Sequence, residues 1–162
     1  MAHFTVTAPT LSHADEMARV HVQGWKEAYS GLLPSQFYGD DGLLRRRRMW
    51  TSILSREAIP DRLRVATSAD TVIGIAWAGP PSGSDPAREL ELHLIYITSD
   101  HYGSGAGQAL LDAVLGREPA QLWVAEENPR AIAFYRRNGF APDGERKIDA
   151  DLNNLAEIRL VR

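Results

Sequence analysis

The run Ile95-Tyr96-Ile97-Thr98-Ser99-Asp100-His101-Tyr102-Gly103-Ser104-Gly105-Ala106-Gly107-Gln108-Ala109-Leu110-Leu111 governs how the rest of the chain is read. An apolar, β-rich stretch ends in a turn carrying Gly103, Gly105 and Gly107 at alternate positions, and an alanine- and leucine-rich helix begins. Glycine lacks a Cβ, which suits backbone that turns tightly or approaches something closely. The first turn of the helix then presents unpaired N–H groups and a positive dipole end, a pairing that favours an anion. Two readings compete on these residues alone. One is a cradle for a phosphate-bearing ligand; the other is a glycine-rich turn with no ligand.

Working outward, the pattern predicts an α/β domain with a mixed sheet, strands first and then strand–helix–strand–helix. Residues 3–8 alternate as a first strand. Ser12 and Asp15 resemble a helix cap, and Met17, His21, Trp25 and Ala28 follow at helical spacing until Gly31 and Pro34. A second helical stretch covers residues 35–57, with a break expected near 39–42. Residues 63–67 and 72–78 read as strands joined by Ser68-Ala69-Asp70, and residues 79–86 as a loop. Strands at 89–98 and 121–125 alternate with helices at 105–115 and 128–138. The last helix has Asn128 as N-cap, Pro129 at its first position and Gly139 beyond its end. Two short strands are expected at 145–149 and 157–161.

Composition narrows the function classes. The 162 residues are expected to form one domain, 1–162, with 44% hydrophobic and 24% charged residues, ordinary for a soluble protein. A net charge of −3 argues against a nucleic-acid partner. Arg45-Arg46-Arg47-Arg48 spans a whole helical turn, so its side chains fan out and read as a solvated helix face, flanked by Leu43, Leu44, Trp50, Ile53 and Leu54. The chain has no cysteine, which excludes disulfides and thiolate chemistry. No stretch resembles a signal peptide or a membrane span, so a cytoplasmic location without a membrane partner is expected. The five histidines lack ligand spacing, and no metal is expected.

Three phosphate-binding patterns can be weighed against the glycine run. A dinucleotide fingerprint wants G-x-G-x-x-G, but Gln108 stands at the third glycine. Glu126 does sit where that fingerprint wants its acid, yet too little chain follows for a second βαβαβ half. A P-loop fails because no Gly-Lys-Ser/Thr follows. The third pattern is a resemblance. Tyr102-Gly103-Ser104-Gly105-Ala106-Gly107 resembles the R/Q-x-x-G-x-G/A acyl-CoA motif of the GNAT acyltransferase superfamily, with Tyr102 where Arg or Gln is usual. Asn128-Pro129-Arg130-Ala131-Ile132-Ala133-Phe134-Tyr135-Arg136-Arg137-Asn138-Gly139-Phe140 is similar to its N-x-x-A-x-x-F-Y-x-x-x-G-F motif. Trp25, Tyr29, Gly31 and Leu33-Pro34 look like the W-x-x-x-Y-x-G-x-L-P segment of many bacterial members.

The resemblance implies a mostly antiparallel central sheet flanked by helices, with a splayed parallel pair that binds the cofactor. It implies an N-acetyltransferase that moves an acetyl group from acetyl-CoA directly to a primary amine, small molecule or peptide, in a ternary complex. Tyr102, Gly103, Ser104, Gly105, Ala106, Gly107 and Gln108 would hold the pyrophosphate. The strand at Tyr96, Ile97 and Thr98 would take the pantetheine arm, with the Ile97 N–H or a neighbour as oxyanion donor. Asn128 would be both cap and cofactor contact. Tyr135 would be the general acid, against the plainer role of a core aromatic. Trp25 and Tyr29 would line the acceptor pocket, or pack the helix core. Homodimers are common in the family.

A base is read from alternation. Glu89, Glu91, His93 and Ile95 fall on one strand face and Leu90, Leu92, Leu94 and Tyr96 on the other. The leucine face should pack on a helix, leaving Glu91 and His93 toward the cleft as competing bases, unless a β-bulge moves the register. Glu91 would need a raised pKa or a bridging water. A non-catalytic acyl-CoA-binding regulatory module is the alternative function, and a dinucleotide-binding domain the third.

Overall fold

Period-two apolar patterning at residues 63–79 forms the centre of one sheet in the computed structural model, which describes residues 3–162. Met1 and Ala2, where the signal-peptide reading began, lie outside the described residues. The strands are β1 (Thr5–Thr7), β2 (Leu63–Ser68), β3 (Thr71–Gly79), β4 (Glu91–Ile97), β5 (Gln121–Ala125), β6 (Ala141–Asp149) and β7 (Leu155–Val161). Their order across the sheet is β1-β2-β3-β4-β5-β7-β6, and β4–β5 is the parallel pair; the other neighbours are antiparallel.

The helices are α1 (Ala14–Tyr29), α2 (Asp40–Leu54), α3 (Ala106–Leu115) and α4 (Pro129–Arg137). On one face of the sheet, Leu110, Leu111, Val114 and Leu115 of α3 pack with Ile73, Ala76, Leu92 and Leu122, and α4 adds Tyr135. On the other, Met17 and Val20 of α1 and Trp50 and Ile53 of α2 pack with Val65, Val72 and Ile75.

Several local readings shift in the folded chain. The entry to α1 is capped at Thr10, whose N–H donates to His13 Nδ1 at 2.9 Å, and a 3-10 turn (Leu11–His13) takes the place of the expected Ser12–Asp15 cap. Residues 35–57 divide into a 3-10 turn (Ser35–Phe37) and α2, with Gly39 as N-cap. Gly42 is required there, because a Cβ would come 2.6 Å from the Phe37 carbonyl oxygen. Leu44 is 46% exposed, whereas Arg46 is 9% exposed, so the arginine run is not a uniformly solvated face. β6 begins four residues earlier than expected. It is an exposed edge strand carrying Pro142 and Gly144, so it shows no apolar alternation to read.

The largest correction concerns β4. Trp77 pairs with Leu94 but Ala78 pairs with Leu92, which makes His93 the extra residue of a β-bulge. Leu90, Leu92, Ile95 and Ile97 therefore face α3, whereas Leu94 and Tyr96 cross to the α1 side. The single leucine face expected from strict alternation does not form. A second break follows from the first: β4 and β5 pair at Glu91–Gln121 and Leu92–Leu122, and beyond these their registers separate.

Candidate functional site

The glycine run lies at the end of β4, where that separation opens. Gly103 (φ 78°) and Gly105 (φ 90°) adopt left-handed backbone that other residues rarely take, and Gly105 is the N-cap of α3. The Ala106 N–H meets Ser104 Oγ at 3.3 Å and the Ala109 N–H meets the Gly105 carbonyl at 3.0 Å. Among the described residues, the N–H groups of Gly105, Gly107 and Gln108 have no hydrogen-bond partner. The Gln108 side chain is tied to Asp112 and Asn138 at 2.9 and 2.7 Å, so only its backbone is available. Free donors at the positive end of a ten-residue helix fit a phosphate group.

Tyr102 does not leave this loop without a cation. The Arg130 guanidinium, from the first turn of α4, lies 3.2 Å from the centroid of the Tyr102 ring, and the Tyr102 hydroxyl donates to Glu27 of α1. Tyr102 is thus bracketed between α1 and α4 across the mouth of the splay. Positive charge beside the loop comes from Arg130, which the sequence reading had not singled out.

Inside the splay, the Thr98 N–H donates to the Ile73 carbonyl of β3 at 2.9 Å. Backbone groups alternate along a strand, so the Ile97 N–H points the other way, toward β5. Tyr96 contributes backbone here, while its ring turns to the α1 side and stacks on His21 at 5.3 Å. Gly24 makes room for it, since a Cβ there would fall 2.4 Å from Tyr96 Cδ1. Asn128 Oδ1 accepts the Ala131 N–H at 3.2 Å, which establishes its capping role. Tyr135 is 9% exposed, packed edge-on to Phe134 and Phe140, and burial together with Tyr29 pushes its pKa above the ordinary phenol value.

The α1 side of the opening is aromatic. Trp25 packs edge-on to Tyr29 at 5.1 Å and stacks with Phe37 at 6.3 Å. Burial, with Glu157 adding to it, raises the Tyr29 pKa to about 12. A cleft of about 540 Å³ runs between α1 and α2, lined by His21, Trp25, Phe37, Met49, Arg45 and Arg46. Both expected acceptor residues thus sit on this side, Trp25 in the cleft wall.

Glu91 and His93 do come together, with His93 Nδ1 3.4 Å from Glu91 Oε1. Glu91 is 3% exposed and accepts from Ser82 Oγ at 2.8 Å and Gln121 Nε2 at 2.7 Å. Burial favours its neutral form, but the bonds from His93, Gln121 and Ser82 outweigh that and hold its pKa below the usual carboxylate value. The raised pKa that direct base chemistry would need of Glu91 is therefore absent. Gln121 Oε1 also accepts the Ala87 and Arg88 N–H groups, so the Glu91–Gln121 pair anchors the 79–90 loop.

The carboxylate with a raised pKa is Glu157 of β7, opposite Ala125 at the end of β5. Burial raises it most; Lys147, at 3.6 Å, opposes this, and Asp149 and Glu91 add to it. Its position follows from the pairing of β7 with β5, which no local pattern announces. Glu126, the candidate ribose acid of the dinucleotide reading, is instead paired with Arg146 at 3.0 Å.

Known proteins share this arrangement. The acetyltransferase (GNAT) domain family matches residues 60–142. YuaI of Bacillus subtilis, an uncharacterised N-acetyltransferase, is 26% identical over 162 aligned positions, covering 96% of this chain and 88% of its own. An L-methionine sulfoximine/L-methionine sulfone acetyltransferase of Pseudomonas aeruginosa is 29% identical over 108 positions, 63% of this chain and 62% of its own. Among solved structures, the PaiA N-acetyltransferase of Thermoplasma acidophilum, in complex with coenzyme A, has the same fold. It aligns with a TM-score of 0.71 at 16% identity, over 97% of this chain and 98% of that one. The family match takes in the glycine loop, the splayed strands and α4, and the chain belongs to the GNAT acetyltransferase family.

Proposed function

We propose that residues 1–162 act as one N-acetyltransferase domain that transfers an acetyl group from acetyl-CoA directly to a primary amine. The observation that carries this reading is the parting of β4 from β5 beyond Leu92 and Leu122, directly before a loop with free N–H groups. Gly105, Gly107 and Gln108 would hold the pyrophosphate by their N–H groups, with Arg130 as the nearby cation and Asn128 flanking the opening. Acetyl-CoA supplies an activated thioester.

The residues then divide the chemistry. The Ile97 N–H, aimed into the splay, polarises the acyl carbonyl oxygen. The Tyr135 phenol, kept protonated by its raised pKa, donates its proton toward the sulfur. On the acceptor side, Glu157 is the carboxylate best suited to take a proton from the ammonium, because burial has already raised its proton affinity. Glu91 then orients His93 and the 79–90 loop, and Trp25 and Tyr29 wall the acceptor. The Pseudomonas aeruginosa relative is named for acetylating L-methionine sulfoximine and L-methionine sulfone, which supports an amino-acid-like amine as one acceptor class to test.

An amine panel assayed for released CoA thiol tests the reading. Release with at least one amine, and no acetyl group left on denatured protein, is expected. Acetyl-CoA binding without release from any amine would contradict it, and a stoichiometric acyl adduct would contradict direct transfer. Glu157→Gln, Glu91→Gln and His93→Gln, compared as pH–rate profiles, identify the base: the acidic limb should vanish with Glu157→Gln and persist in the other two.

A further inference from the structure

We propose that the cleft between α1 and α2 is an anion subsite, in which Arg46 and His21 bind the carboxylate of an amino-acid-like acceptor. The proposal rests on the N-acetyltransferase reading for the fate of the amine, but not for the carboxylate.

Arg46 is a buried cation without a counter-charge. It is 9% exposed, and among the described residues no carboxylate lies within ion-pair distance of it. Its Nη1 donates to the Phe37 carbonyl at 2.7 Å and the Gly42 carbonyl at 3.2 Å, which fixes the direction of the guanidinium. Its Nε has no partner. The group lies 4.7 Å from the Trp25 ring centroid, a cation–π contact. That contact offsets only part of the cost of taking an ion out of water. A planar fork held by carbonyls on one edge and free at Nε is matched by a carboxylate.

A second buried side chain with an unpartnered nitrogen lines the same cleft. His21 is 8% exposed and its Nδ1 has no partner. Burial first, and then Arg46, lower its pKa to about 3, so the ring is neutral at physiological pH and can donate one hydrogen bond. Arg45 adds a further positive charge at the rim, and no acidic side chain lines the cleft. Trp25, Phe37 and Met49 supply apolar wall for a side chain. Capping the 35–37 turn explains Nη1 alone; it leaves Nε and His21 unexplained.

Tyr96 links the subsite to the reacting end. Its ring stacks on His21, while its backbone belongs to β4 beside the splay. An acceptor reaching from Arg46 past Tyr96 toward the splay would carry both a carboxylate and an amine. Of the four consecutive arginines, Arg46 alone is buried; Arg47 meets Asp15 at 3.5 Å on the outside.

The test uses each standard amino acid, its carboxamide and its decarboxylated amine. Each is titrated into CoA-saturated protein with tryptophan fluorescence as readout, since Trp25 and Trp50 adjoin Arg46 and His21. The same compounds are assayed for thiol release from acetyl-CoA. At least one free amino acid should bind 30-fold or more tightly than its amide and its amine. That advantage should fall at least tenfold in Arg46→Met and partly return in Arg46→Lys, with acetyl-CoA binding as the control for folding. Amides or simple amines that bind as well as the acids overturn the subsite, as does an advantage that survives Arg46→Met. If Arg46→Met does not fold, Arg46→Lys and the wild-type ligand comparison decide. Amino-acid binding without thiol release leaves the subsite standing and removes the transferase reading; transfer confined to amines lacking a carboxylate does the reverse.

Discussion

The two faces of the sheet are built from different materials. The α3 face is aliphatic, with Leu110, Leu111, Val114 and Leu115 fully buried against Ile73, Ala76 and Leu122. The α1–α2 face is aromatic and polar. The buried side-chain nitrogens without a hydrogen-bond partner among the described residues lie there, on His21, Trp25, Arg46, Trp50 and Arg47, the last with an ion pair to Asp15 at 3.5 Å. A face whose groups are all satisfied holds the fold together. A face that leaves donors unmet at the cost of stability is one shaped for something else to meet them. On the function proposed above, acetyl-CoA is held from the aliphatic side and the acceptor is chosen on the aromatic side, the two joined at the bulged strand β4.

That division can be broken by experiment. Leu110→Ala should cost about 3 kcal/mol of stability in urea denaturation, whereas Leu44→Ala, at a 46% exposed position, should stay near zero. Equal losses would show that burial does not separate the two sites. Tyr135→Phe should lower kcat about 100-fold with little change in acetyl-CoA affinity, and an unchanged kcat removes the phenol from the chemistry. His21 makes the stability of the aromatic face depend on pH. Its folded pKa of about 3 lies below the unfolded 6.5, so the unfolded chain binds the extra proton in between. Stability from this group is complete above pH 6.5 and is lost as pH falls toward 3, by about 2 kcal/mol between pH 6.5 and 5. His21→Gln should flatten that slope; an equally steep slope in the variant would assign it elsewhere. Arg130→Ala should be the mildest, weakening acetyl-CoA binding about fivefold at low salt, or about 1 kcal/mol.

The sequence made the two faces unequally legible. α4 could be placed from local chemistry, because its N-cap is one side chain folding back on its own helix, Asn128 to Ala131, and its exit is Gly139 at φ 86°. The glycine loop was equally local, and so was the strand–helix alternation around it. What escaped depends on partners distant in sequence. The bulge at His93 exists only against Trp77 and Ala78, and it moved Leu94 and Tyr96 to the face opposite Leu92. Arg46 turned inward because Gly42 lets α2 approach the Phe37 carbonyl, a contact that four identical letters in a row conceal. Arg130 replaced the missing basic residue of the loop from another helix, and Glu157 reached the site through the pairing of β7 with β5.

A Gly105–Gln108 backbone that holds the anion of acetyl-CoA, as proposed, should be sensitive to a negative charge placed beside it. Calorimetric titration of acetyl-CoA into the wild type and into Gly107→Glu tests it most directly. A Cβ at Gly107 meets nothing nearer than Ile97 Cγ1 at 3.6 Å, and an acidic residue in the first helical turn favours the helix dipole, so the fold should tolerate the change. Binding to the wild type is expected, with a loss of at least tenfold in the variant at undiminished thermal stability. Equal affinity in the two proteins, or no binding to the wild type, would contradict it.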